Sequence, residues 1–537
     1  MTQRQVPVLV VGGSLVGLST SLLLATAGVP HLLVERHRGT AVHPRAASFH
    51  QRTMEIFRSA GIQEEVDTAA EKEFRQNGAI VSVESLAAED VTFFFRNFNE
   101  NVEHLSPTQR RFITQIGLEP VLRRVAEERG ARHLYGTELV GFEQDDEGVT
   151  SVIRSRNGDI EETVRSDYLV AADGAHSKVR ELSGIELAGR GTFADCVTIY
   201  FRADMRELIG DRNLSVVYVN HPELLGFFRF SITGDSGFLA VFSTTEADGT
   251  RNTHVAADMD TARAEALVRK ALGRSDIPVE IESVQRWSAA ASWASRFQDR
   301  RVLLAGDAAH VMPPTGGFGG NTGVADAHNL AWKLAMVLEG TAGSPLLDTY
   351  DVERRSVSSL TVEQAYTRYV LRVDPSLPRD DMAAPLDDAS IELGPIYRSA
   401  AVLDDRDDDV PVVDPRDPGG RPGTRAPHLA VELHGAPASI LDVFARGFVL
   451  LAGPAGQAWC DAAGRVAEDL DVPFVAHRVA ADGSLVDRAQ SFPKTFGTGD
   501  EGAVVVRPDG VVAWRSAASS ANPRTDLEQN MHRVLFR

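Results

Sequence analysis

The first 35 residues carry the pattern that most constrains the fold. Residues 6–11 form a short apolar run rich in β-branched side chains, which is typical of a strand buried on both faces of a parallel sheet. A glycine-rich turn follows, then a helical stretch at residues 15–28 and a second apolar run that ends in Glu35. This order predicts a βαβ unit and therefore an α/β fold with a parallel sheet.

The turn at residues 12–17 matches the dinucleotide-binding spacing G-x-G-x-x-G, with Gly12, Gly13 and Gly17 in place and Ser14 where the middle glycine normally stands. The helix N-terminus after it supplies free N–H donors for a phosphate, and Glu35 is placed to bind ribose hydroxyls. A turn that is glycine-rich only for packing is the alternative. Residues 7–29 carry no charge and resemble a signal peptide, but the regularly placed glycines favour the βαβ interpretation.

Charge and cysteine content exclude several classes of function. The chain has 75 Asp and Glu against 55 Lys and Arg, a formal net charge of −20, which disfavours nucleic acid and anionic membrane surfaces as partners. It has 2 cysteines, with no CxxC pair and no His/Cys cluster at metal-ligand spacing. We therefore expect no metal site and no disulfide scaffold, and a cytoplasmic location.

Two more predicted strands end in turns that contain an aspartate next to a glycine. Residues 168–180 form an apolar strand that runs into Asp173-Gly174, and residues 301–310 form a strand that delivers Gly306-Asp307. Open α/β sheets bind ligands at such strand ends. A glycine-rich loop and a helix start follow at residues 313–323. The three motifs in this order resemble the class A flavoprotein monooxygenases, the p-hydroxybenzoate hydroxylase-like superfamily.

The resemblance implies a non-covalent FAD, with NADPH or NADH as a transient cosubstrate. Arg45 resembles the family arginine that contacts the mobile flavin ring, and Gln115 resembles the glutamine that binds the ribityl chain. Taken singly, either could be an ordinary surface residue. The full set of cofactor-binding residues implied by the resemblance is Gly12, Gly13, Ser14, Gly17, Glu35, Arg36, Arg45, Gln115, Asp173, Gly306, Asp307, Pro314, Gly317, Gly319, Gly320 and Asn321.

Residues 52–58 and 346–355 are similar to motifs of the phenol hydroxylase and aromatic polyketide hydroxylase branch. That branch implies a Rossmann-like FAD-binding domain (1–75, 112–182 and 285–400) with an inserted antiparallel-sheet substrate domain (76–111 and 183–284). An acidic, solvated linker (401–425) and a thioredoxin-like α/β domain (426–537) would complete the chain. Cys460 is the only thiol of that last part, so dithiol redox chemistry is excluded there.

Strand-like runs at residues 91–95, 193–203, 214–219, 226–233 and 238–244 predict an antiparallel sheet, and the resemblance implies that this sheet roofs the flavin. Its aromatic residues offer apolar walls for a substrate, namely Phe227, Phe228, Phe230, Phe238 and Phe242. The alternative is that most of them belong to the core. Phe228, Phe230 and Phe242, with Pro314, are the predicted substrate-binding residues. Tyr218 and Arg372 are predicted, together with Arg45, to be catalytic, by stabilising a phenolate or relaying a proton. The alternative is that Tyr218 belongs to the core and Arg372 to a surface ion pair.

The expected function is hydroxylation of an electron-rich phenolic or polycyclic aromatic secondary metabolite with O2, through a flavin hydroperoxide. Baeyer–Villiger oxygenation of a polyketide ketone on the same scaffold, or a non-catalytic flavin-containing binding protein, are the alternatives. Homo-oligomerisation is left open.

Overall fold

The computed structural model describes residues 3–42, 47–156, 161–246, 248–404, 406, 408–444 and 447–537. Within these ranges the chain is a mixed α/β protein with three β-sheets flanked by helices. Among the helices described, none is both long and apolar enough to cross a membrane.

The first sheet contains the predicted βαβ unit. Gln3–Val11 pairs in parallel with His31–Glu35 on one side and with Glu161–Ala171 on the other. Helix Leu15–Thr26 connects the first two strands, and Val8, Leu9 and Val10 between them are completely buried. The spatial order is Gln298–Asp299, Val302–Leu304, Glu161–Ala171, Gln3–Val11, His31–Glu35 and Arg132–Tyr135, and a hairpin of Thr137–Gln144 and Val149–Ser155 joins at Glu161–Ala171.

Helices surround the first sheet. The longest are Phe318–Leu338, which packs against Leu15–Thr26, and Asp348–Arg372. A glycine-rich loop precedes the former, with Gly316 at φ 91° and Gly317 at φ 70°, both in the left-handed region. The other helices up to residue 400 are Gln51–Ser59, Gln63–Glu73, Gln115–Glu128, Lys178–Leu182, Arg206–Ile209, Thr261–Leu272 and Asp388–Leu393.

The second sheet is the predicted antiparallel one. All of its strands pair antiparallel except Ala79–Val83 and Leu214–His221, which pair in parallel. The strand Glu280–Ala294 pairs with Leu187–Arg202 on both sides of residue 285. The spatial order is His310–Val311, Glu280–Ala294, Leu187–Arg202, Ser236–Thr245, Leu224–Phe230, Leu214–His221, Ala79–Val83 and Thr92–Phe95, and Arg251–Asn252 pairs with Ser236–Thr245.

The third sheet forms the C-terminal part of the chain. Phe448–Ala452 and Phe474–Ala480 pair in parallel and are connected by helix Gln457–Leu470, which makes a βαβ unit. The spatial order is Ala436–Ser439, Ala430–Leu433, Leu485–Val486, Phe474–Ala480, Phe448–Ala452, Ala503–Val506 and Val512–Ser516, with helices Phe492–Phe496 and Pro523–Leu535 beside it.

The segment at residues 401–425 was expected from its composition to be a solvated linker. The structure corrects this expectation, because part of the segment is buried. Arg421 is 2% exposed and its guanidinium pairs with Asp404 at 2.7 Å and Asp408 at 3.0 Å. The aspartates therefore serve as counter-ions for a buried arginine. The end of the segment packs into the protein, and Arg425 pairs there with Glu55.

Candidate functional site

A cavity of about 1830 Å³ is lined by residues of the first and second sheets. The three glycine-containing motifs all border it, through Gly12 and Gly13, through Asp173 and Gly174, and through Asp307 and the loop after it. They meet there because each follows the carboxyl end of a parallel strand, and those ends share one edge of the sheet.

The first turn has no room for side chains at two of its glycines. Gly12 has φ 108°, and a Cβ there would collide with the carbonyl oxygen of Ala172. A Cβ on Gly17 would collide with the carbonyl oxygen of Gly12, so Gly17 lies behind the turn and not on the cavity wall. These contacts explain why the turn requires glycine.

Ser14, the departure from the motif, has a partner that the sequence did not indicate. Its hydroxyl donates to Glu119 Oε1 at 2.6 Å, and Gln115 Nε2 donates to the serine oxygen at 3.3 Å. Glu119 is fully buried as a side chain, also accepts the N–H of Ala41 at 2.7 Å, and its pKa is raised because burial disfavours the carboxylate. Ser14, Gln115 and Glu119 all border the cavity.

Glu35 ends the second strand on the cavity wall, as predicted. Its two carboxylate oxygens accept the N–H of Gly13 at 2.6 Å and the N–H of His37 at 2.7 Å. The carboxylate therefore fixes the glycine turn. Arg36 also borders the cavity, whereas Arg45 lies outside the described residues.

Asp173 accepts the Ser177 hydroxyl at 2.5 Å and the Val179 N–H at 3.2 Å, and burial raises its pKa. Arg180, seven residues further on, was not predicted to have a role. Its guanidinium donates to the carbonyl oxygens of Ala308 and Ala175, both at 2.9 Å. Arg180 therefore ties the loop of Asp173 to the loop of Asp307.

The loop after Asp307 delivers a helix N-terminus to the cavity. Pro314, Gly317, Gly319 and Gly320 border it. The first N–H groups of helix Phe318–Leu338 have no partner within the helix, so this end is suited to negative charge.

Asn321 does not border the cavity, unlike the other predicted residues of this loop. Its Oδ1 accepts the His50 N–H at 2.9 Å and the Thr53 hydroxyl at 2.7 Å. Its Nδ2 donates to the carbonyl oxygens of Gly317 at 2.7 Å and Ser48 at 3.1 Å. These bonds occupy the side chain, which therefore holds the loop from behind.

The aromatic wall differs from the prediction in which phenylalanines it uses. Phe242 borders the cavity, but Phe228 and Phe230 do not; they lie in the hydrophobic core on the other face of the sheet. Side chains alternate across a strand, so Phe227 and Arg229 face the cavity instead. The remaining aromatic residues of the wall are Phe94, Phe95, Phe98, Phe112, Tyr200, Tyr218, Phe238 and Trp287.

Tyr218 and Arg372, predicted separately, come together on the cavity wall. Both side chains border the cavity, as does Asp388, and the positive charge of Arg372 acts on the Tyr218 hydroxyl. Burial raises the pKa of Tyr218 above its ordinary value, although Arg372 acts in the opposite direction. The phenol group therefore stays protonated near neutral pH and can donate a hydrogen bond.

Arg229 is a residue of the wall that sequence reasoning missed. It is 2% exposed, and its guanidinium carbon lies 4.0 Å from the centroid of the Phe74 ring and 4.1 Å from that of Phe112. Nη1 donates to the Ala47 carbonyl at 2.5 Å, but Nε and Nη2 have no hydrogen-bond partner among the described residues. A lone arginine in the apolar strand Leu224–Phe230 was the sequence signal for it.

These features fit a large anionic nucleotide cofactor such as FAD. The backbone of the glycine turn and the N-terminus of helix Phe318–Leu338 border the cavity, where their N–H groups favour negative charge, and the Arg229 guanidinium lies in the wall beside them. Glu35, Asp173 and Asp307 supply acceptors at the strand ends.

Family comparisons agree with this fit. Residues 5–365 match the FAD binding domain family, and residues 419–537 match the aromatic-ring hydroxylase C-terminal family. A 4-methyl-5-nitrocatechol 5-monooxygenase of Burkholderia sp is 49% identical over 537 residues, covering 99% of this chain and 98% of the relative. The aklavinone 12-hydroxylase RdmE of Streptomyces purpurascens is 39% identical over 548 residues and all of both chains.

Among solved structures, a ternary complex of aklavinone-11 hydroxylase with FAD and aklavinone superimposes with a TM-score of 0.93, at 39% identity and with 100% of both chains covered. The match spans all three sheets, so it extends from the cofactor motifs to the C-terminal part. The chain therefore belongs to the FAD-dependent aromatic-ring hydroxylases, a family of flavin monooxygenases.

Proposed function

We propose that this protein hydroxylates an electron-rich phenolic or polycyclic aromatic compound, with FAD bound non-covalently and NADPH or NADH as the electron donor. The observation that carries the proposal is that one cavity unites the three cofactor motifs with an aromatic wall bearing Tyr218 and Arg372. When bound, FAD would carry electrons from the cosubstrate and activate O2, which provides the transferred oxygen atom; side chains alone do not supply this chemistry.

The chain's own contribution is to hold the cofactor and position the ring. The turn of Gly12, Gly13 and Ser14, with Glu35, would hold the adenosine side, and Asp307 with the loop of Pro314, Gly317, Gly319 and Gly320 would hold the flavin side. Gln115, Asp173 and Arg36 border the same cavity and complete the proposed set. Asn321 and Gly306 would act by holding the loop, because their contacts are with protein.

Tyr218 and Arg372 are the proposed catalytic residues. A ring carbon is a better nucleophile when the hydroxyl ortho or para to it is ionised, and a cation next to that oxygen favours ionisation. Arg372 supplies the cation, and the protonated Tyr218 supplies a hydrogen-bond donor to the phenolate. The aromatic wall around them excludes water from the ring, which strengthens both interactions.

The relatives suggest the substrate class. One carries the name of a substituted catechol and another that of a polycyclic polyketide, and both names describe ring compounds with hydroxyl groups. A small catechol is the first compound to test, since the relative named for one is the more similar of the two at 49% identity. Phe242 and Phe227, on the aromatic wall, would contact the ring.

We also infer the finer architecture: a Rossmann-like FAD-binding domain (1–75, 112–182 and 285–400), an inserted substrate domain (76–111 and 183–284), a linker (401–425) and a thioredoxin-like domain (426–537). The parallel first sheet, the antiparallel second sheet and the βαβ unit of the third support this division. The strand Glu280–Ala294 argues for moving one boundary, because it belongs to the second sheet on both sides of residue 285.

The test is oxygen transfer by the purified full-length protein loaded with FAD. Oxidation of NADPH and NADH is measured with 4-methyl-5-nitrocatechol and with aklavinone as probes. The masses of the products formed under isotopically labelled O2 are then determined by mass spectrometry. We expect faster oxidation with one probe and one labelled oxygen in an intact ring. A lactone product would indicate Baeyer–Villiger chemistry, and FAD binding without any substrate-dependent oxidation of the cosubstrate would indicate a binding protein.

A further inference from the structure

The first turns of helix Asp348–Arg372 contain charged residues that the proposed chemistry does not use. Glu353 is 0% exposed and Arg354 is 2% exposed, and neither borders the cavity. Buried charges are costly unless they are paired and hydrogen-bonded, so their partners indicate what they do.

Arg354 connects to the loop that carries Asp307. Its Nε donates to Asp326 Oδ1 at 2.8 Å, and the other oxygen of Asp326 accepts the N–H of Gly306 at 3.0 Å. The same oxygen lies 2.7 Å from His310 Nε2. Gly306 has φ 62°, and a Cβ there would lie 2.7 Å from Val16. The Asp326 carboxylate therefore holds the residues on both sides of Asp307, while Val16 leaves the loop little room to shift.

Arg354 is itself held from the C-terminal side. Its Nη1 donates to the Tyr397 hydroxyl at 2.8 Å. The guanidinium carbons of Arg354 and Arg507 lie 5.7 Å and 5.6 Å from the centroid of the Tyr397 ring. Arg507 directly follows strand Ala503–Val506 of the third sheet, and its guanidinium pairs with Glu353 at 2.6 Å.

The backbone continues the same connection. The Tyr397 N–H donates to the Gly423 carbonyl at 2.8 Å, and the Gly423 N–H donates to the Val512 carbonyl at 2.8 Å. Val512 begins the edge strand Val512–Ser516 of the third sheet. A continuous series of short contacts thus runs from this sheet to the Asp307 loop.

We propose that Arg354 is a positioning residue for the flavin-side loop, and that the C-terminal sheet keeps it in place through Tyr397 and Arg507. Arg354 acts through the Asp326 carboxylate, which fixes the backbone of Gly306 and thereby the direction of the Asp307 side chain. The C-terminal part of the chain accordingly contributes to cofactor binding without touching the cavity.

Tyr397→Phe tests the inference, because it removes one hydrogen bond from Arg354 and changes no charge. Tyr366→Phe is the matched control: it removes a tyrosine hydroxyl of helix Asp348–Arg372 that donates to the Pro378 carbonyl and not to Arg354. Amide hydrogen exchange of residues 302–311 is measured in the full-length protein without FAD, and the Kd of FAD is measured separately. In Tyr397→Phe we expect the exchange rate of residues 302–311 and the Kd of FAD each to rise about tenfold, because one hydrogen bond to a charged group is lost. The Tm should stay close to that of the wild type.

Equal exchange at residues 302–311 in Tyr397→Phe and Tyr366→Phe would overturn the inference. If Tyr397→Phe lowers the Tm strongly, Arg354→Lys decides the matter, since it keeps the charge but loses the fork that reaches Asp326, Thr322 and Tyr397 together. The effect on FAD affinity rests on the proposed function, whereas the exchange measurement does not. If the wild-type protein binds no FAD, the proposed function is refuted. Faster amide exchange in Tyr397→Phe would then still support the positioning role of Arg354.

Discussion

Phe227, Phe228 and Arg229 follow one another on a single strand, yet they belong to two different environments. Phe228 is completely buried in the core of the second sheet, whereas Phe227 and Arg229 face the cavity. The strand was predictable from its apolar, aromatic composition, but its facing depended on one residue, because the run Phe-Phe-Arg-Phe is apolar on both faces except at Arg229. That arginine marked the polar face.

The two phenylalanines should therefore respond differently to truncation. Phe228→Ala opens a cavity in a closed core and is expected to cost about 3–5 kcal/mol of unfolding free energy. Phe227→Ala exposes less new cavity, because its ring already borders an open space, and should raise the KM for the aromatic substrate. Denaturant unfolding and steady-state kinetics on both variants check this. A loss of stability in Phe227→Ala equal to that in Phe228→Ala would contradict the assignment of faces.

At the catalytic pair, Tyr218→Phe and Arg372→Met should lower the yield of hydroxylated product per cosubstrate oxidised. The cause is weaker stabilisation of the phenolate, and one charge-assisted hydrogen bond corresponds to about a tenfold loss. Because burial raises the pKa of Tyr218, the wild-type profile should show no fall from its ionisation below its ordinary pKa of 10.0. FAD content should stay at the wild-type level; variants that lose FAD in proportion to activity would show a structural role instead.

Among the elements, the glycine turns were the most predictable, because their chemistry is local. Residues 12–17 already indicated a turn that requires glycine, and the structure shows the steric reason in the contacts of Gly12 and Gly17 with the protein's own backbone. The pairs that hold these turns were not predictable. Glu119 lies 105 residues from Ser14, and Arg354 lies 28 residues from Asp326. Nothing in the local pattern of either partner identifies the other, since tertiary packing alone brings them together.

Gly12→Ala tests the turn as an element. The added Cβ would meet the Ala172 carbonyl at a backbone angle that disfavours alanine, so the strand and turn must separate and FAD retention should be lost. Gly28→Ala is the control, because Gly28 has φ 78° but open space around the added Cβ. Gly28→Ala should cost about 1 kcal/mol of unfolding free energy, because alanine disfavours the left-handed backbone conformation, and the protein should keep its FAD. Absorbance of the purified proteins at flavin wavelengths compares the two; a yellow Gly12→Ala protein would refute the steric argument.

Across the whole molecule, a buried group of charges joins the C-terminal part to the helices beneath the cavity. Glu353 accepts hydrogen bonds from Lys333 at 2.9 Å, from Asn329 at 2.7 Å and from Arg507 at 2.6 Å. Asp509 pairs with the same Arg507 at 2.5 Å. Such groups fix one arrangement of the partners, because any other arrangement leaves a charge buried and unpaired. This specificity explains why the C-terminal part can hold the Asp307 loop at a distance.

The pH dependence of stability follows from the same group. Burial opposes ionisation of Glu353, but Arg507 and Lys333 outweigh it and hold its pKa well below the ordinary 4.5. A carboxylate whose pKa is lowered by folding stabilises the protein fully above the unfolded value, and that contribution declines as the pH falls through the window between the two values. Glu353→Gln should therefore cost about 3–5 kcal/mol at neutral pH, because it leaves buried cations unpaired, and the difference from wild type should shrink below about pH 4.5.

Unfolding in urea at a series of pH values, followed by tryptophan fluorescence, measures this difference. Trp332 reports on the region directly, because the Arg507 guanidinium lies 5.1 Å from the centroid of its ring. Glu432→Gln serves as the control, since Glu432 pairs with Arg488 at the exposed surface, where solvent screens the charges and no measurable change is expected. A difference between wild type and Glu353→Gln that is the same at acidic and neutral pH would mean that the cost comes from packing. The buried carboxylate would then not be the group that couples the C-terminal part to the rest of the molecule.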